Sequence, residues 1–369
     1  MNYRLGRPPV GRIAGTFPRG PSAFSIFFAM DKNSDPRTLR MLAWLGEAGA
    51  PQGLCADSPC EPASTDAGFR RYFRVTGNEG ATFIVMDAPP EHGGMEPFVR
   101  VTALMHEAGL HAPEIFASDL KEGFLLLSDL GRETYLNVLN EENAFSLMDD
   151  ATSALVAWQK ISRPGILPEY DRAVLEREVN LFPEWYVGRH KGRTFTETES
   201  RWWKMTIDAV IENNLREAKV FVHRDFMPRN LMVSEPNPGV IDYQDALYGP
   251  VSYDIASLLR DAFVSWDERF VLDTTIRYWE KARKAGIPVP ADFATFYRDV
   301  EFMGVQRHLK VVGIFARLHY RDGKEKYLKD VPRFLKYLRD ASNRYLELSP
   351  LKHLLDRVEE TQDRVGYTF

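Results

Sequence analysis

The stretch Phe221–Asp261, FVHRDFMPRNLMVSEPNPGVIDYQDALYGPVSYDIASLLRD, contains the residues that decide the fold. The run His223-Arg224-Asp225 is followed five positions after the aspartate by Asn230, and Asp242 ends a short apolar run. Transfer of a phosphoryl group from ATP requires a carboxylate that orients and deprotonates the attacking hydroxyl, and oxygen ligands that hold Mg²⁺ against the phosphates. The spacing therefore predicts that Asp225 is the catalytic base and that Asn230 and Asp242 bind Mg²⁺ and ATP.

The predicted site depends on a hairpin between these residues. Two apolar segments between Leu231 and Ile241 flank Pro236-Asn237-Pro238-Gly239, which is typical of a turn. Such a hairpin would return Asp242 to a position beside Asn230. A single Asp, Asn or His near turns is more often structural, but the ordered set favours chemistry. His223 alone is interpreted as structural support for the loop.

The residues around the predicted site carry a resemblance to a known superfamily. The loop His223-Arg224-Asp225 with Asn230 resembles the catalytic loop of the protein-kinase-like superfamily. Asp242 is followed by Tyr-Gln-Asp rather than Phe-Gly, and residues 249–256 lead directly into a helical pattern with no long activation segment. This arrangement is similar to the aminoglycoside phosphotransferase and choline kinase branch, which phosphorylates small molecules. The resemblance implies that Asp254 supports the catalytic loop through backbone N–H groups.

Five further stretches carry a narrower resemblance: GFRRYFRV (Gly68–Val75), IVMDAPP (Ile84–Pro90), GFLLLSDLG (Gly123–Gly131), LFPEWY (Leu181–Tyr186) and LLRDAF (Leu258–Phe263). Together they resemble one bacterial group, the anomeric N-acetylmuramate/N-acetylglucosamine kinases of cell-wall recycling. This resemblance extends from about Thr38 to the C-terminus. It implies transfer of phosphate to an anomeric hydroxyl, which gives the sugar 1-phosphate.

The resemblance also implies a fold class and a domain organisation. The expected fold is α+β, a bilobal protein-kinase-like fold with a small N-lobe of β-sheet plus helix and a larger, mainly helical C-lobe. Residues 1–32 are expected to be a disordered extension and residues 33–130 a nucleotide-binding N-lobe. Residues 131–369 are expected to form the C-lobe with the catalytic loop and the substrate site.

Composition excludes several classes of partner. With 369 residues and 44% hydrophobic content, the chain can bury the core of two lobes. A net charge of −5 and a pI of about 6.0 argue against nucleic-acid and anionic-membrane partners, and no apolar run could span a bilayer. We expect a monomeric cytoplasmic protein. Cys55 and Cys60 are interpreted as free thiols, with a redox pair as the alternative.

The first thirty residues differ from the rest of the chain. Met1–Met30 contains four arginines and no acidic residue, and its apolar part is short for a signal peptide. We interpret it as a disordered extension, an upstream start before Met30 or an appended remnant. Export is the weaker alternative.

The N-lobe pattern predicts an ATP site that lacks one expected residue. The small residues Ser64–Gly68 precede a predicted strand and would form a loop over the phosphates, with Gly68 at its end. Met86 occupies the strand position where the superfamily has a phosphate-binding lysine. Either Arg70 or Arg71 is expected to supply the missing charge, since a guanidinium can bind phosphate oxygens bidentately. The alternative is that phosphate binding is weak and that the two arginines lie on a solvated strand face.

The remaining pattern places the adenine site and the helices. The resemblance implies a hinge at Ser128 and Asp129, where adenine would bind. Apolar residues at helical spacing predict helices in the ranges 37–48, 95–108, 143–161, 171–190, 196–215, 252–263, 267–285, 291–318, 331–348 and 351–364. Strands are predicted near 69–75, 82–86, 113–118 and 123–128. Thr196 and Glu199 have the spacing of a capping box.

The sugar is expected to bind in the C-lobe, facing Asp225. Carboxylates and guanidinium groups bind hydroxyl and carboxylate groups of a sugar, and an aromatic ring packs on its C–H face. The candidates for these roles are Glu184, Trp185, Arg189, Arg229 and Asp261. Each also has an ordinary structural interpretation, as a core or surface residue.

Three functions remain open from the sequence. The first is an ATP- and Mg²⁺-dependent kinase of N-acetylmuramate and N-acetylglucosamine. The second is a kinase of another small hydroxyl compound, an aminoglycoside or an amino alcohol. The third is a non-catalytic kinase-like nucleotide-binding module, which the methionine at position 86 suggests.

Overall fold

The computed structural model describes residues 35–63 and 69–360. The predicted extension at 1–32, Gly68 with the rest of its loop, and the end of the last predicted helix lie outside the described residues. The strands are β1 Cys60–Pro62, β2 Arg71–Thr76, β3 Thr82–Asp87, β4 Ile115–Asp119, β5 Phe124–Ser128, β6 Lys219–Val222, β7 Leu231–Met232, β8 Gly239–Val240 and β9 Leu247–Pro250. The α-helices are α1 Pro36–Ala48, α2 Glu96–Glu107, α3 Tyr135–Val138, α4 Ala144–Lys160, α5 Arg172–Val179, α6 Glu197–Arg216, α7 Tyr253–Leu259, α8 Glu268–Lys284, α9 Phe293–Asp322, α10 Val331–Arg344 and α11 Ser349–Val358.

These elements form two compact units. The N-terminal unit contains the described residues up to Val138 together with Arg229–Asp245, and the C-terminal unit contains Leu139–Pro228 and the described residues from Ala246 onward. The predicted boundary near residue 130 treats the lobes as consecutive segments, whereas the β7–β8 hairpin groups with the N-terminal unit. No helix in the described ranges is long and apolar enough to cross a membrane.

The N-terminal unit is built on an antiparallel sheet in the order β1-β2-β3-β5-β4. Side chains alternate between the faces of a strand, and the side chains of Phe73, Val75 and Val85 pack with Leu42 and Leu45 of α1 in one apolar core. Tyr72 of β2 is paired in register with Met86 of β3, and these two side chains lie on the other face of the sheet. The predicted leading helix and four strands are confirmed to within a few residues.

The C-terminal unit is mainly helical, as predicted. The α6 capping box is confirmed, because the Thr196 hydroxyl accepts from the backbone N–H of Glu199 and the Glu199 carboxylate accepts from that of Thr196. The β6–β9 pair was not predicted, since each strand has four residues and the partners lie more than twenty positions apart. Such a short strand gives no clear periodicity.

The predicted helix 171–190 is wrong in its continuity. Helix α5 ends at Val179, and a π-helical segment follows over Phe182–His190. Pro183 has no N–H group to donate to the carbonyl of Val179, so the α-helical hydrogen-bond ladder is interrupted there. The wider turn is shown by the Lys191 N–H, which donates to the carbonyl of Tyr186 at 2.9 Å.

Helix α9 packs closely against the start of the π-helical segment. A Cβ at Gly313 would overlap the backbone carbonyl and the side chain of Leu181. Glycine at position 313 therefore permits the close approach of these two elements.

We predict that Gly313→Ala lowers the free energy of unfolding by about 1–3 kcal/mol, because an added methyl group overpacks this contact. Gly304→Ala, on the same helix, is the control: its Cβ would lie 3.5 Å from the nearest atom, Cε1 of His308, and alanine favours a helix over glycine. Denaturant unfolding measures both. Equal stability changes in the two variants would contradict the prediction.

The C-terminal unit also buries a carboxyl group at the end of α6. Glu217 accepts a hydrogen bond from the Ser252 N–H at 3.0 Å. Burial raises the pKa of Glu217 well above its ordinary value, and the nearby carboxylate of Asp299 raises it further. The folded protein therefore binds a proton at Glu217 over a pH range in which the unfolded chain releases it.

We predict that ionisation of Glu217 lowers stability as the pH rises from the ordinary glutamate range toward its raised pKa, by about 1.4 kcal/mol per pH unit in that window. Glu217→Gln should remove this loss, so the variant should melt above the wild type at pH 8 and near it at pH 4. Glu212→Gln, at an exposed position of α6, is the control. Thermal melts from pH 4 to pH 8 measure both variants. The same pH dependence of the melting temperature in Glu217→Gln and Glu212→Gln would contradict the prediction.

Candidate active site

The catalytic loop follows β6 in the C-terminal unit, and one buried carboxylate supports it. Asp254, near the start of α7, is fully buried and accepts from the backbone N–H groups of His223 at 2.7 Å and Arg224 at 3.0 Å. Burial raises the pKa of Asp254 to about 7, although these two N–H groups oppose the shift. The predicted role of Asp254 is confirmed.

Asp225 is half-buried at the end of this loop. Its N–H group donates to Nδ1 of His223 at 3.3 Å, and the His223 ring is buried against Phe226. The histidine thus supports the loop, as predicted. The residue between them, Arg224, has a φ of +77°.

The two predicted metal ligands lie together in the N-terminal unit. The amide Nδ2 of Asn230 donates to Oδ2 of Asp242 at 3.2 Å, and Nε2 of Gln244 donates to the other carboxylate oxygen of Asp242 at 3.0 Å. The β7–β8 hairpin brings Asp242 back beside Asn230, so the predicted hairpin is confirmed. Asp242 is exposed, and its φ is +65°.

An amide oxygen and a carboxylate are the donor types that Mg²⁺ prefers, usually with one or two protein ligands and the phosphates of a nucleotide. In the part of the chain that the structure describes, no group of three or more His, Cys, Asp or Glu side chains could hold a metal ion. The chemistry of the pair Asn230 and Asp242 fits Mg²⁺ bound together with a nucleotide.

Arg70 directly precedes β2, and it and Asp242 both influence the ionisation of Tyr72. Burial raises the pKa of Tyr72 to about 12, and the carboxylate of Asp242 raises it while the guanidinium of Arg70 opposes the shift. Tyr72 therefore lies within electrostatic reach of both groups. The Arg70 guanidinium packs over the Phe69 ring at 5.1 Å.

Arg71 points to the other face of the strand and is ion-paired there. Its guanidinium contacts Asp35 and Asp87, each at 2.5 Å, and Asp87 is fully buried. Arg37 contacts the same Asp87 carboxylate at 2.6 Å. The sequence left Arg70 and Arg71 as equal candidates for a phosphate contact, and these ion pairs favour Arg70.

Met86 occupies the position expected for lysine and is fully buried opposite Tyr72. An apolar side chain at this point of the sheet supplies packing and no charge.

The predicted hinge residues are engaged in hydrogen bonds within the N-terminal unit. Asp129 accepts from Nε and Nη2 of Arg74 at 2.5 and 2.9 Å. The Ser128 hydroxyl accepts from the Glu114 N–H at 2.9 Å. These hydrogen bonds hold the end of β5 and the residue after it in place. Both side chains therefore have partners within the protein.

The predicted sugar ligands are distributed over several elements. Glu184 and Arg189 are exposed on the π-helical segment, and Trp185 is half-buried there. Asp261 follows α7 and is almost fully buried, with Oδ1 accepting from the Ala262 N–H at 2.6 Å. Arg229, half-buried, begins the hairpin segment of the N-terminal unit.

Sequence reasoning missed a set of charged residues on α9. Arg307 and Lys310 are buried on this helix, and both contact groups near the catalytic loop. Further along the helix, burial and Arg321 lower the pKa of Arg317, while Glu184 opposes that shift, so Arg317 lies near the π-helical segment. The signal was present as charged residues inside an otherwise apolar helical stretch.

Comparison with known proteins identifies the family. Residues 59–293 match the model of the phosphotransferase enzyme family. The chain belongs to this family. The predicted phosphotransferase class is thereby confirmed, and the non-catalytic alternative has no support from the family to which the chain belongs.

Two bacterial relatives are similar to this protein over most of the chain. The N-acetylmuramate/N-acetylglucosamine kinase of Pseudomonas aeruginosa is 52% identical over 88% of this chain and 97% of that protein. The kinase of the same name from Neisseria meningitidis is 51% identical over 83% of this chain and 93% of that protein. The predicted resemblance is confirmed.

A solved structure of a kinase shares the fold. Choline kinase from Cryptosporidium parvum superimposes with a TM-score of 0.59 at 13% identity, covering 86% of this chain and 99% of that one. At this identity the likeness shows the fold alone. The expected protein-kinase-like fold class is confirmed.

We predict that the arginines at positions 70 and 71 differ in their roles. Arg70→Met should raise the KM for ATP about tenfold, because a charge-assisted contact is lost, and should leave the melting temperature nearly unchanged. Arg71→Met should lower the free energy of unfolding by about 2 kcal/mol, because the buried Asp87 loses a partner. Steady-state kinetics and thermal melts separate the two effects. A raised KM for Arg71→Met without loss of stability would contradict the assignment.

Proposed function

We propose that this protein is an ATP- and Mg²⁺-dependent kinase that phosphorylates the anomeric hydroxyl of N-acetylmuramate and N-acetylglucosamine, giving the 1-phosphate. The observation that carries this proposal is the 52% identity, over 88% of the chain, to a kinase named for these two sugars. The supported catalytic loop agrees with it, because Asp225 follows two residues whose backbone is bound by a buried carboxylate.

Asp225 is the proposed catalytic base. Its carboxylate would orient the anomeric hydroxyl and accept its proton as the oxygen attacks the γ-phosphorus of ATP. An anomeric hydroxyl is more acidic than an ordinary alcohol, so a carboxylate is an adequate base. Most of the rate enhancement would come from positioning and from electrostatic stabilisation of the transferring group.

Asn230 and Asp242 are the proposed Mg²⁺ ligands. When bound, the metal ion neutralises charge on the β- and γ-phosphates. Gln244 donates to the Asp242 carboxylate and so limits its rotation. Arg70 would add positive charge at the phosphates, in place of the lysine that Met86 replaces.

The adenine and the loop over the phosphates involve residues of the N-terminal unit. We assign adenine to the backbone at Ser128 and Asp129, since their side chains already have protein partners. Gly68, which lies outside the described residues, remains the proposed end of the phosphate loop.

The proposed sugar ligands are Glu184, Trp185, Arg189, Arg229 and Asp261. The aromatic ring would pack on the sugar face, the carboxylates would accept from its hydroxyls, and an arginine would bind the carboxylate of N-acetylmuramate. The proposed partner is therefore a small molecule. We also propose that the protein acts as a cytoplasmic monomer.

We predict that purified protein with ATP, Mg²⁺ and either sugar produces a new sugar 1-phosphate signal in phosphorus NMR, with coupling to the anomeric proton. Asp225→Asn should lower kcat at least 100-fold because the proton acceptor is lost, while ATP still raises the melting temperature. Asp208→Asn, an exposed carboxylate on α6, should retain wild-type kcat.

Three outcomes would count against parts of the proposal. Transfer to a different hydroxyl would exclude the anomeric assignment. Transfer to choline or an aminoglycoside, but to neither sugar, would replace the substrate class. Near-normal turnover by the Asp225→Asn variant would remove Asp225 as the base.

A further inference from the structure

The residue before the proposed catalytic base has an unfavourable backbone conformation. Arg224 has a φ of +77°, in the left-handed region that residues with a Cβ rarely adopt. Such a conformation persists only where the surrounding contacts hold it, and it is found often at active sites. The direction in which the chain presents Asp225 depends on this conformation.

The backbone N–H, the backbone carbonyl and the guanidinium of Arg224 each have a partner within the C-terminal unit. Its N–H group donates to Asp254 at 3.0 Å, and its carbonyl oxygen accepts from Nη1 of Arg307 at 2.9 Å. Its guanidinium forms an ion pair with Glu178 and lies over the ring of Tyr170, 5.7 Å from the centroid.

The groups that bind Arg224 are themselves bound. Glu178 also accepts from Nε2 of Gln306 at 3.0 Å, forms an ion pair with Lys310 at 3.1 Å and accepts from the Tyr170 hydroxyl. It is 5% exposed. Burial raises the pKa of Glu178, but Lys310 and Arg224 lower it by more, to about 2. Glu178 is therefore a buried carboxylate that stays charged.

Arg307 lies on α9 and connects this helix to α7. Its Nη1 atom donates to the hydroxyl of Tyr253 at 3.0 Å as well as to the Arg224 carbonyl, and Nζ of Lys310 donates to the same hydroxyl at 3.2 Å. Arg307 is 5% exposed. Three helices, α5, α7 and α9, therefore contribute to one buried network around Arg224.

We propose that Glu178, Arg307 and Lys310 are positioning residues that hold Arg224 in its left-handed conformation and so fix the direction of the Asp225 side chain. This inference rests on the proposed role of Asp225 as the base. None of the three residues needs to touch the substrate. Their effect is on kcat, because a displacement of about 1 Å in a reacting group can reduce the rate about 100-fold.

The first test compares substitutions on α9. Arg307→Met removes the donor to the Arg224 carbonyl and should lower kcat for sugar phosphorylation at least tenfold, with KM for ATP within twofold of wild type. Arg307→Lys retains one donor and should have an intermediate kcat. Arg298→Met is the matched control, since Arg298 is also on α9 but bonds Asn213 and Glu347; it should keep wild-type kcat even if it melts earlier. Equal kcat losses for Arg307→Met and Arg298→Met would overturn the proposal.

The second test uses glycine at position 224. Glycine adopts a positive φ without strain. In the Arg224→Gly variant, residue 224 should therefore keep its left-handed conformation with less dependence on the hydrogen bond from Arg307. Arg307→Met should then reduce kcat less than threefold in the Arg224→Gly background, compared with at least tenfold in the Arg224 background. The same reduction in both backgrounds would show that Arg307 acts in another way.

The third test does not depend on turnover. Hydrogen–deuterium exchange should be at least tenfold faster at the amides of residues 223–225 in the Arg307→Met and Glu178→Gln variants, and unchanged there in Arg298→Met. Unchanged exchange in all variants would overturn the proposal. If exchange responds as expected but the wild type phosphorylates neither sugar, the positioning inference stands and the proposed substrate is wrong.

Discussion

The carboxylate of Asp254 is the group on which the catalytic loop depends. Two consecutive backbone N–H groups after β6 are buried and need acceptors, because an unpaired buried donor costs about 1–3 kcal/mol. Asp254 supplies both acceptor atoms from the first turn of α7. The chain can therefore leave β6 at Val222 and change direction at Arg224, which has a positive φ. Asp225 then lies in a half-buried position.

Helix α9 has two functions in the C-terminal unit. Over most of its length it is a core helix, and Gly313 allows it to approach the π-helical segment closely. Near its middle it places Arg307 and Lys310 in the interior, where buried cations must be paired. Glu178 and the carbonyl of Arg224 provide that pairing. The structural requirement to satisfy these cations and the need to fix the catalytic loop are met by the same contacts.

In the N-terminal unit, strand alternation separates two adjacent arginines. Arg71 is turned toward α1, where it compensates the buried Asp87, and Arg70 is within electrostatic reach of Tyr72. Alternation along the chain at the start of β2 therefore puts Arg71 in ion pairs and leaves the guanidinium of Arg70, directly before the strand, over the Phe69 ring. The same alternation places Met86 in the core, where a lysine would be costly to bury without a partner.

The sequence by itself determined the local features of this protein. The spacing of Asp225, Asn230 and Asp242, the hairpin between them and the capping box at Thr196 depend on residues close in the chain, and spacing alone predicts such contacts. Only the tertiary structure decided that Arg71 pairs with Asp87, that Glu178 binds Arg224 and that Arg307 holds its carbonyl. The partners in these contacts are 16 to 83 positions apart, and a charged residue shows no preference for one distant partner until packing brings the two together and excludes water from both.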